Sequence, residues 1–391
     1  MGNSIAPATM GKRRIIGFDF IKTVAILLVI TIHMLGDSTL PHTWYTHIVS
    51  TLTMVCVPLF VMVNGALMLT RPFDGKKHKR RIIQLILLTV IWKIIILAFC
   101  YFTLRCEADL SKSSILAYLL GGNPPYGDIG YIWFLNFYIG LMVLYPALKA
   151  IFDNGGAPLR YLLAFMLIVA IGDGLNILFA PISHMLGLDY ETTAFGYFYS
   201  FNMLSWSGVL IATFLIGGII WKWHLDGEKA FVSDDKNPIG RIATVITEKP
   251  KAASLITAAI CFAVLYALVE YKVKFIDPCA WDITQRYSNI FNACLSAAIF
   301  YLLSTANYPK AIGKFSIFMG SRTFSIYIMH IVAMNGIKKL MSLGAIPTGA
   351  GFPGAIDLLY LLSIYLIGEF LLAILACLIE KIPYAKVLLF K

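Results

Sequence analysis

Asp19, Lys22 and His33 are ionisable side chains in a stretch, Arg14 to Leu35, that is otherwise apolar over enough residues to cross a bilayer. A charged side chain at mid-membrane costs about 2.5–3.5 kcal/mol on insertion scales, and a segment that only anchored the chain would have no use for one. Asp19 and Lys22 are three apart, so they are neighbours on a helix and can pair. Lys22 and His33 are eleven apart. Eleven helical steps end about 20° from a whole number of turns, with a rise of roughly 16 Å. All three then share one helix face, which should look into protein or water rather than lipid. An imidazole titrates near neutrality, so it can take a proton from a hydroxyl and return it. His33 is therefore a candidate general base, with Lys22 and Asp19 as its charged companions. A structural ion pair beside a hydrogen-bonded His33 would explain the same triplet.

Other stretches carry groups of the same kind. SRTFSIYIMHIVAMN (321–335) puts Ser325, Tyr327 and His330 in an apolar helix, where a His is more often structural than catalytic. GYIWFLNFYIGLMVLYPAL (130–148) offers Trp133, Asn136, Tyr138 and Tyr145. An interfacial aromatic belt suits Trp133, and suits the deeper Asn136 and Tyr145 less well. In VPLFVMVNGALML (57–69), Pro58, Asn64 and Gly65 interrupt an otherwise smooth helix, as a kink or a close-packing point would. RPFDGKKHKRR (71–81) is short and basic, with Lys76, Lys77, Lys79, Arg80 and Arg81. It reads either as topology plus anionic lipid or as a cradle for a phosphate-rich cytosolic ligand. Lys93, Asp173 and Glu369 are further intramembrane charges with no role beyond pairing. The seven Cys form no CxxC and no cluster with His at metal spacing, so no metal site is expected. Cys106 and Cys279 fall in two loops placed outside, and could pair where that compartment is oxidising.

The elements that must position these groups follow from composition. The chain has 391 residues, 59% hydrophobic and 14% charged. That is an all-α polytopic membrane bundle, a single domain over 1–391 with a short tail at 1–14, not a soluble protein. Ten apolar segments stand out: 15–35, 45–69, 82–103, 131–152, 160–180, 205–222, 253–271, 289–305, 322–338 and 356–379. With the amino terminus inside, 23 Lys and Arg lie on inner segments and seven on outer ones. This bias predicts about ten transmembrane helices with both termini cytoplasmic. The net charge of +11 is then a topological signal, and nucleic acid is not an expected partner. The start has basic residues but no signal-peptide cleavage pattern, and Ala6 weakens a myristoylation reading of Met-Gly-Asn-Ser. The loop at 104–130 ends in the turn-rich GGNPPYGDIG, the one at 181–204 is aromatic, and 223–252 is polar. No repeat relates the two halves, which argues against an inverted-repeat transporter.

Taken together, these residues resemble the acyltransferase 3 family of integral membrane O-acyltransferases. The resemblance rests on five motifs in order: Lys22 to His33 preceded by GFDFIK; VPLFVMVNG with Asn64 where Ser is usual; the basic KKHKRRI; Trp133-Phe134-Leu135 with the later Tyr145-Pro146; and Ser325, Tyr327 and His330. Lys22 stands where Arg is more frequent, which keeps the charge but loses the bidentate fork. The resemblance implies transfer of an acetyl or other short acyl group from cytosolic acyl-CoA to a hydroxyl of a cell-envelope or exported glycan. It implies an acyl-CoA donor, acetyl-CoA foremost, a glycan or lipid-linked sugar acceptor, no bound cofactor, and residence in the bacterial cytoplasmic membrane. His33, Lys22 and Asp19 would form the catalytic end. Lys77, Arg80, Arg81, Asn64, Trp133, Asn136, Tyr138, Tyr145, Ser325, Tyr327 and His330 would bind the substrates. No nucleophile with a convincing adjacent base argues for a covalent acyl-enzyme. The competing reading is a transporter or polysaccharide exporter that uses the same charges as a path.

Overall fold

The structure, a computed structural model, describes residues 14–37, 43–103, 109–121, 132–187, 206–227, 248–275, 287–347 and 354–383, with 385 and 389. Cys106 and Cys279 lie outside these residues, as does most of the two loops at 104–130 and 181–204. In their described residues, all ten apolar segments are helical. They are α1 (Ile16–Asp37); α2 (Trp44–Thr53) and α3 (Cys56–Leu69); α4 (Gly75–Ala98), extended by a π-helical turn Phe99–Thr103; α6 (Trp133–Asn154); α7 (Gly156–Met185); α8 (Trp206–Leu225); α9 (Pro250–Phe275); α10 (Ile290–Ser304); α11 (Lys310–Gly320) and α12 (Thr323–Ser342); and α13 (Ala355–Ile379). A short helix, α5 (Lys112–Leu119), lies between α4 and α6. By length and composition eight spans are long and apolar enough to cross a membrane, and α11 with α12, bent by 66°, makes a ninth. The helix Ile290–Ser304 is apolar but only 15 residues long. The outside of the bundle is itself apolar: Ile83, Leu87, Ile91 and Ile94 on α4, Leu255, Ile256 and Ile260 on α9, and Leu359, Ile367 and Leu371 on α13 are exposed. Such a surface is stable against lipid, not water.

The first and third helices are the centre. The α1 residues Ile26, Val29, Ile30 and Met34 belong to one apolar core with α6 and α12. Phe18, Ile21 and Ala25 belong to a second, with α9 and α10. On α3, Val57, Phe60, Val63, Asn64 and Leu67 recur at three- and four-residue spacing, so they form one stripe. The opposite side of α3 packs on α8. A Cβ on Gly65 would sit 1.8 Å from the Phe214 carbonyl oxygen, and one on Gly217 would sit 2.3 Å from that of Met62. Two backbones can approach this closely only through glycine.

The interruption of the second span differs from the sequence expectation. It falls at Met54–Val55, before Pro58. Pro58 is in the first turn of α3, where a missing N–H removes no intrahelical bond. Asn64 lies inside the continuous helix, its Nδ2 donating to the Phe60 carbonyl at 2.8 Å.

Lys93 has a definite place. Its Nζ donates to the Tyr118 carbonyl at 2.7 Å and lies 5.0 Å from that ring's centroid, so a cation caps the C-terminal end of α5. Asp173 is buried. Glu369 is buried on α13, with neither carboxyl oxygen hydrogen-bonded among the described residues. The connector ends in Asp74, which caps α4 by accepting from the Lys77 N–H at 3.1 Å, so the basic run from Lys76 to Arg81 is the start of that helix. That bond holds the Asp74 carboxyl below the usual carboxylate range.

Candidate active site

One chamber of about 310 Å³ opens among α1, α3, α4, α6 and α12. Its walls carry Lys22, Val29, Ile32 and His33 from α1, the α3 stripe, Arg81 from α4, and Trp133, Phe134 and Tyr138 from α6. Tyr287, just ahead of α10, and Gly320, Ser321, Thr323, Phe324 and Tyr327 at the α11–α12 bend complete them. The eleven-residue spacing of Lys22 and His33 does place both on one wall, with Val29 between them. Lys22 and Arg81 are each the seventh residue of their helices, α1 and α4. Successive spans alternate in direction, so both cations stand toward the side on which α1 and α4 begin. His33 and Trp133 stand toward the opposite side.

Asp19 does not line the chamber. It is buried and holds two cations: Arg14 Nε at 2.5 Å and Lys22 Nζ at 3.1 Å. Arg14 also donates to the Ile317 carbonyl at 3.1 Å, which ties the start of α1 to α11. A Cβ on Gly320 would meet the Asp19 carbonyl oxygen at 2.6 Å, so the bend can seat here only as glycine. Two positive groups on one carboxylate leave the cluster net positive, and of the two cations it is Lys22 that lines the chamber.

At the other end the His33 ring stacks on His330, centroids 5.5 Å apart at 24°. His330 is fully buried and is not part of the wall. Its Nδ1 bonds the Tyr327 carbonyl, which can only accept, so Nδ1 carries the proton. His330 thus backs His33, while Tyr327 lies one turn before it and does face the chamber. Phe134 meets the Tyr327 ring at 5.5 Å. Tyr138 donates to Asn64 Oδ1 at 3.3 Å, bridging α6 to α3. With Asn64 in the wall, an amide supplies the polar group at the position where Ser is usual.

The structure gathers Lys22, His33, Asn64, Arg81, Trp133, Tyr138 and Tyr327, and leaves others out. Asn136 is exposed on the far side of α6, because residues two apart on a helix point nearly opposite ways. Ser325 is buried away from the chamber. Lys77 pairs with Asp74 at 3.0 Å, and both it and Arg80 are exposed on α4, outside the wall. Tyr145 spends its hydroxyl on the Met68 carbonyl at 2.9 Å.

Sequence reasoning missed Tyr287, Gly320 and Ser321. Tyr287 follows no motif. It is placed by Asn289, which caps α10 through the Asn292 N–H at 2.8 Å, and by Asn292 Nδ2, which donates to the Met54 carbonyl at 3.0 Å. That polar clamp sets the start of α10 on the α2–α3 break. The Tyr287 ring then lies 5.9 Å from Trp133, and its hydroxyl lies 3.9 Å from Cys56 Sγ. Among the described residues, no group of three His, Cys, Asp or Glu could hold a metal ion.

A family model for the acyltransferase domain, Acyl_transf_3, matches residues 15–379. Comparison with curated proteins and with solved structures returned no match. The match spans nearly every helix that builds the chamber, and the apolar exterior is that of a multi-pass bundle in lipid. The chain belongs to the acyltransferase 3 family and is an integral, multi-pass membrane acyltransferase that works between an acyl donor and an acceptor.

Proposed function

We propose that this protein moves an acetyl or other short acyl group from cytosolic acyl-CoA to a hydroxyl of an envelope or exported glycan, across the bacterial cytoplasmic membrane. The observation that carries this reading is the shared chamber, with Lys22 and Arg81 toward one side and His33 toward the other. With both termini cytoplasmic, as the basic-residue bias favours, the two cations face the donor and His33 faces the acceptor. Lys22 and Arg81 meet phosphates of the donor. The chamber is at the low end of the range for ligand sites, about 300–1,000 Å³. It suits the slim thioester arm, with the nucleotide left at the mouth.

His33 takes the proton of the acceptor hydroxyl as its oxygen attacks the thioester carbonyl carbon. The carbonyl electron pair moves onto oxygen, and the Tyr287 hydroxyl donates to that oxyanion. Collapse breaks the C–S bond, and the leaving thiolate takes the proton from His33. An ester and a CoA thiol result, with no net proton change.

Acetyl-CoA kinetics of the purified protein test the donor end. Arg81→Gln should raise the KM for acetyl-CoA at least tenfold, since a charge-assisted phosphate contact contributes about 1.5–3 kcal/mol. Arg80→Gln should raise it less, because Arg80 lies outside the chamber. An unchanged KM in Arg81→Gln would return the basic segment to a purely topological role.

A further inference from the structure

Pro146 lies inside α6. It has no N–H to give the carbonyl four residues back, which is Met142. In an apolar span an unbonded carbonyl is costly, and neighbouring helices usually re-satisfy it. Here His78 does so: its Nε2 lies 2.9 Å from the Met142 oxygen. A carbonyl only accepts, so Nε2 carries the proton and donates. The His78 ring also meets Tyr145 at 5.2 Å and Phe73 at 5.4 Å. Tyr145 in turn donates to the Met68 carbonyl at 2.9 Å, in the last turn of α3. The connector between α3 and α4 is therefore pinned at both ends to the Tyr145–Pro146 step. His78 is three residues before Arg81, one turn away on the same side of α4.

We propose that Tyr145–Pro146 and His78 form a latch that fixes the first two turns of α4 and so keeps Arg81 in the chamber wall. His78 is a positioning residue, acting through Arg81, and the proposal rests on the acyl-CoA reading of that end. Proline at 146 is functional in this account because it frees the carbonyl that His78 takes. Both ring nitrogens of a charged imidazole are donors, so the bond survives protonation and the latch is not a pH switch.

The test is acetyl-CoA kinetics of the full-length protein in membrane vesicles, beside hydrogen exchange over 75–81. His78→Leu should raise the KM for acetyl-CoA about tenfold, leave kcat within about twofold, and speed exchange in the first turns of α4. His78→Gln carries an amide N–H with similar reach and should restore both. Pro146→Ala gives Met142 its own helical N–H and should raise KM to the same degree. His78→Leu added to Pro146→Ala should then change little, since coupled residues are not additive. Independent, additive losses, or a fall in kcat with KM and exchange unchanged, would overturn the latch. Arg81→Gln in the same assay separates the two ideas. If it leaves KM unchanged, the donor reading fails; if it raises KM and His78→Leu does not, the latch alone fails.

Discussion

His33→Ala is expected to lower acyl transfer by about 10²–10⁴-fold, the usual share of a positioned general base. His33→Gln should be nearly as damaging, because an amide keeps a hydrogen bond but cannot carry the proton. The imidazole is in the chamber wall, and its ring rests on His330, whose own Nδ1 is committed to the Tyr327 carbonyl. That stack holds the ring in place at this end of the chamber. Acetyl-CoA binding should survive both substitutions, since Lys22 is eleven residues and roughly 16 Å of helix rise away. Rate and donor affinity, measured on protein of unchanged melting temperature, decide the matter. A His33→Gln enzyme of near-normal rate would falsify the assignment. His330, stacked on His33, would then be the next candidate, although it lies behind the wall.

Tyr287→Phe is expected to lower kcat by about 10²–10³-fold, as loss of an oxyanion donor does, with the acetyl-CoA KM unchanged. Buried tyrosine hydroxyls normally find a good acceptor. Tyr138 has Asn64 and Tyr145 has the Met68 carbonyl. Tyr287 has Cys56 Sγ at 3.9 Å, a weak acceptor, so its proton is ready for a developing oxyanion. The control follows from the same contact. Cys56→Ala should leave kcat within about threefold, because the sulfur only holds the place of a better partner. Equal losses in Tyr287→Phe and Cys56→Ala would make the contact structural and the oxyanion role untenable.

Much of this was readable from the chain because it is local. The eleven-residue spacing in α1 placed Lys22 and His33 on one wall, and helical periodicity alone did it. The ten apolar segments marked every long helix, since a span must satisfy its own backbone bonds. Asn136 could have been set aside on the same grounds: Phe134 and Tyr138 share a face that excludes it. What was not readable depends on contacts between distant segments. Tyr287 enters the wall only because Asn292 reaches the Met54 carbonyl. Asp19 turns from the chamber because Gly320 lets the α11–α12 bend press on it. Tyr145 reads from its motif as a substrate contact, and in the fold its hydroxyl donates to the Met68 carbonyl of α3. Basic residues in a row likewise look equivalent in sequence, yet only Arg81 of that run reaches the chamber.

The central claim is that one chamber joins a donor on the amino-terminal side to an acceptor on the other. Sealed inside-out vesicles given acetyl-CoA labelled in its acetyl group on the outside test it most directly. The account predicts ester-linked label on luminal glycan, free CoA thiol appearing outside in equal amount, and neither with the His33→Gln protein. Label transferred only to acceptors on the same side as the acetyl-CoA, or luminal label that persists in His33→Gln, would contradict it.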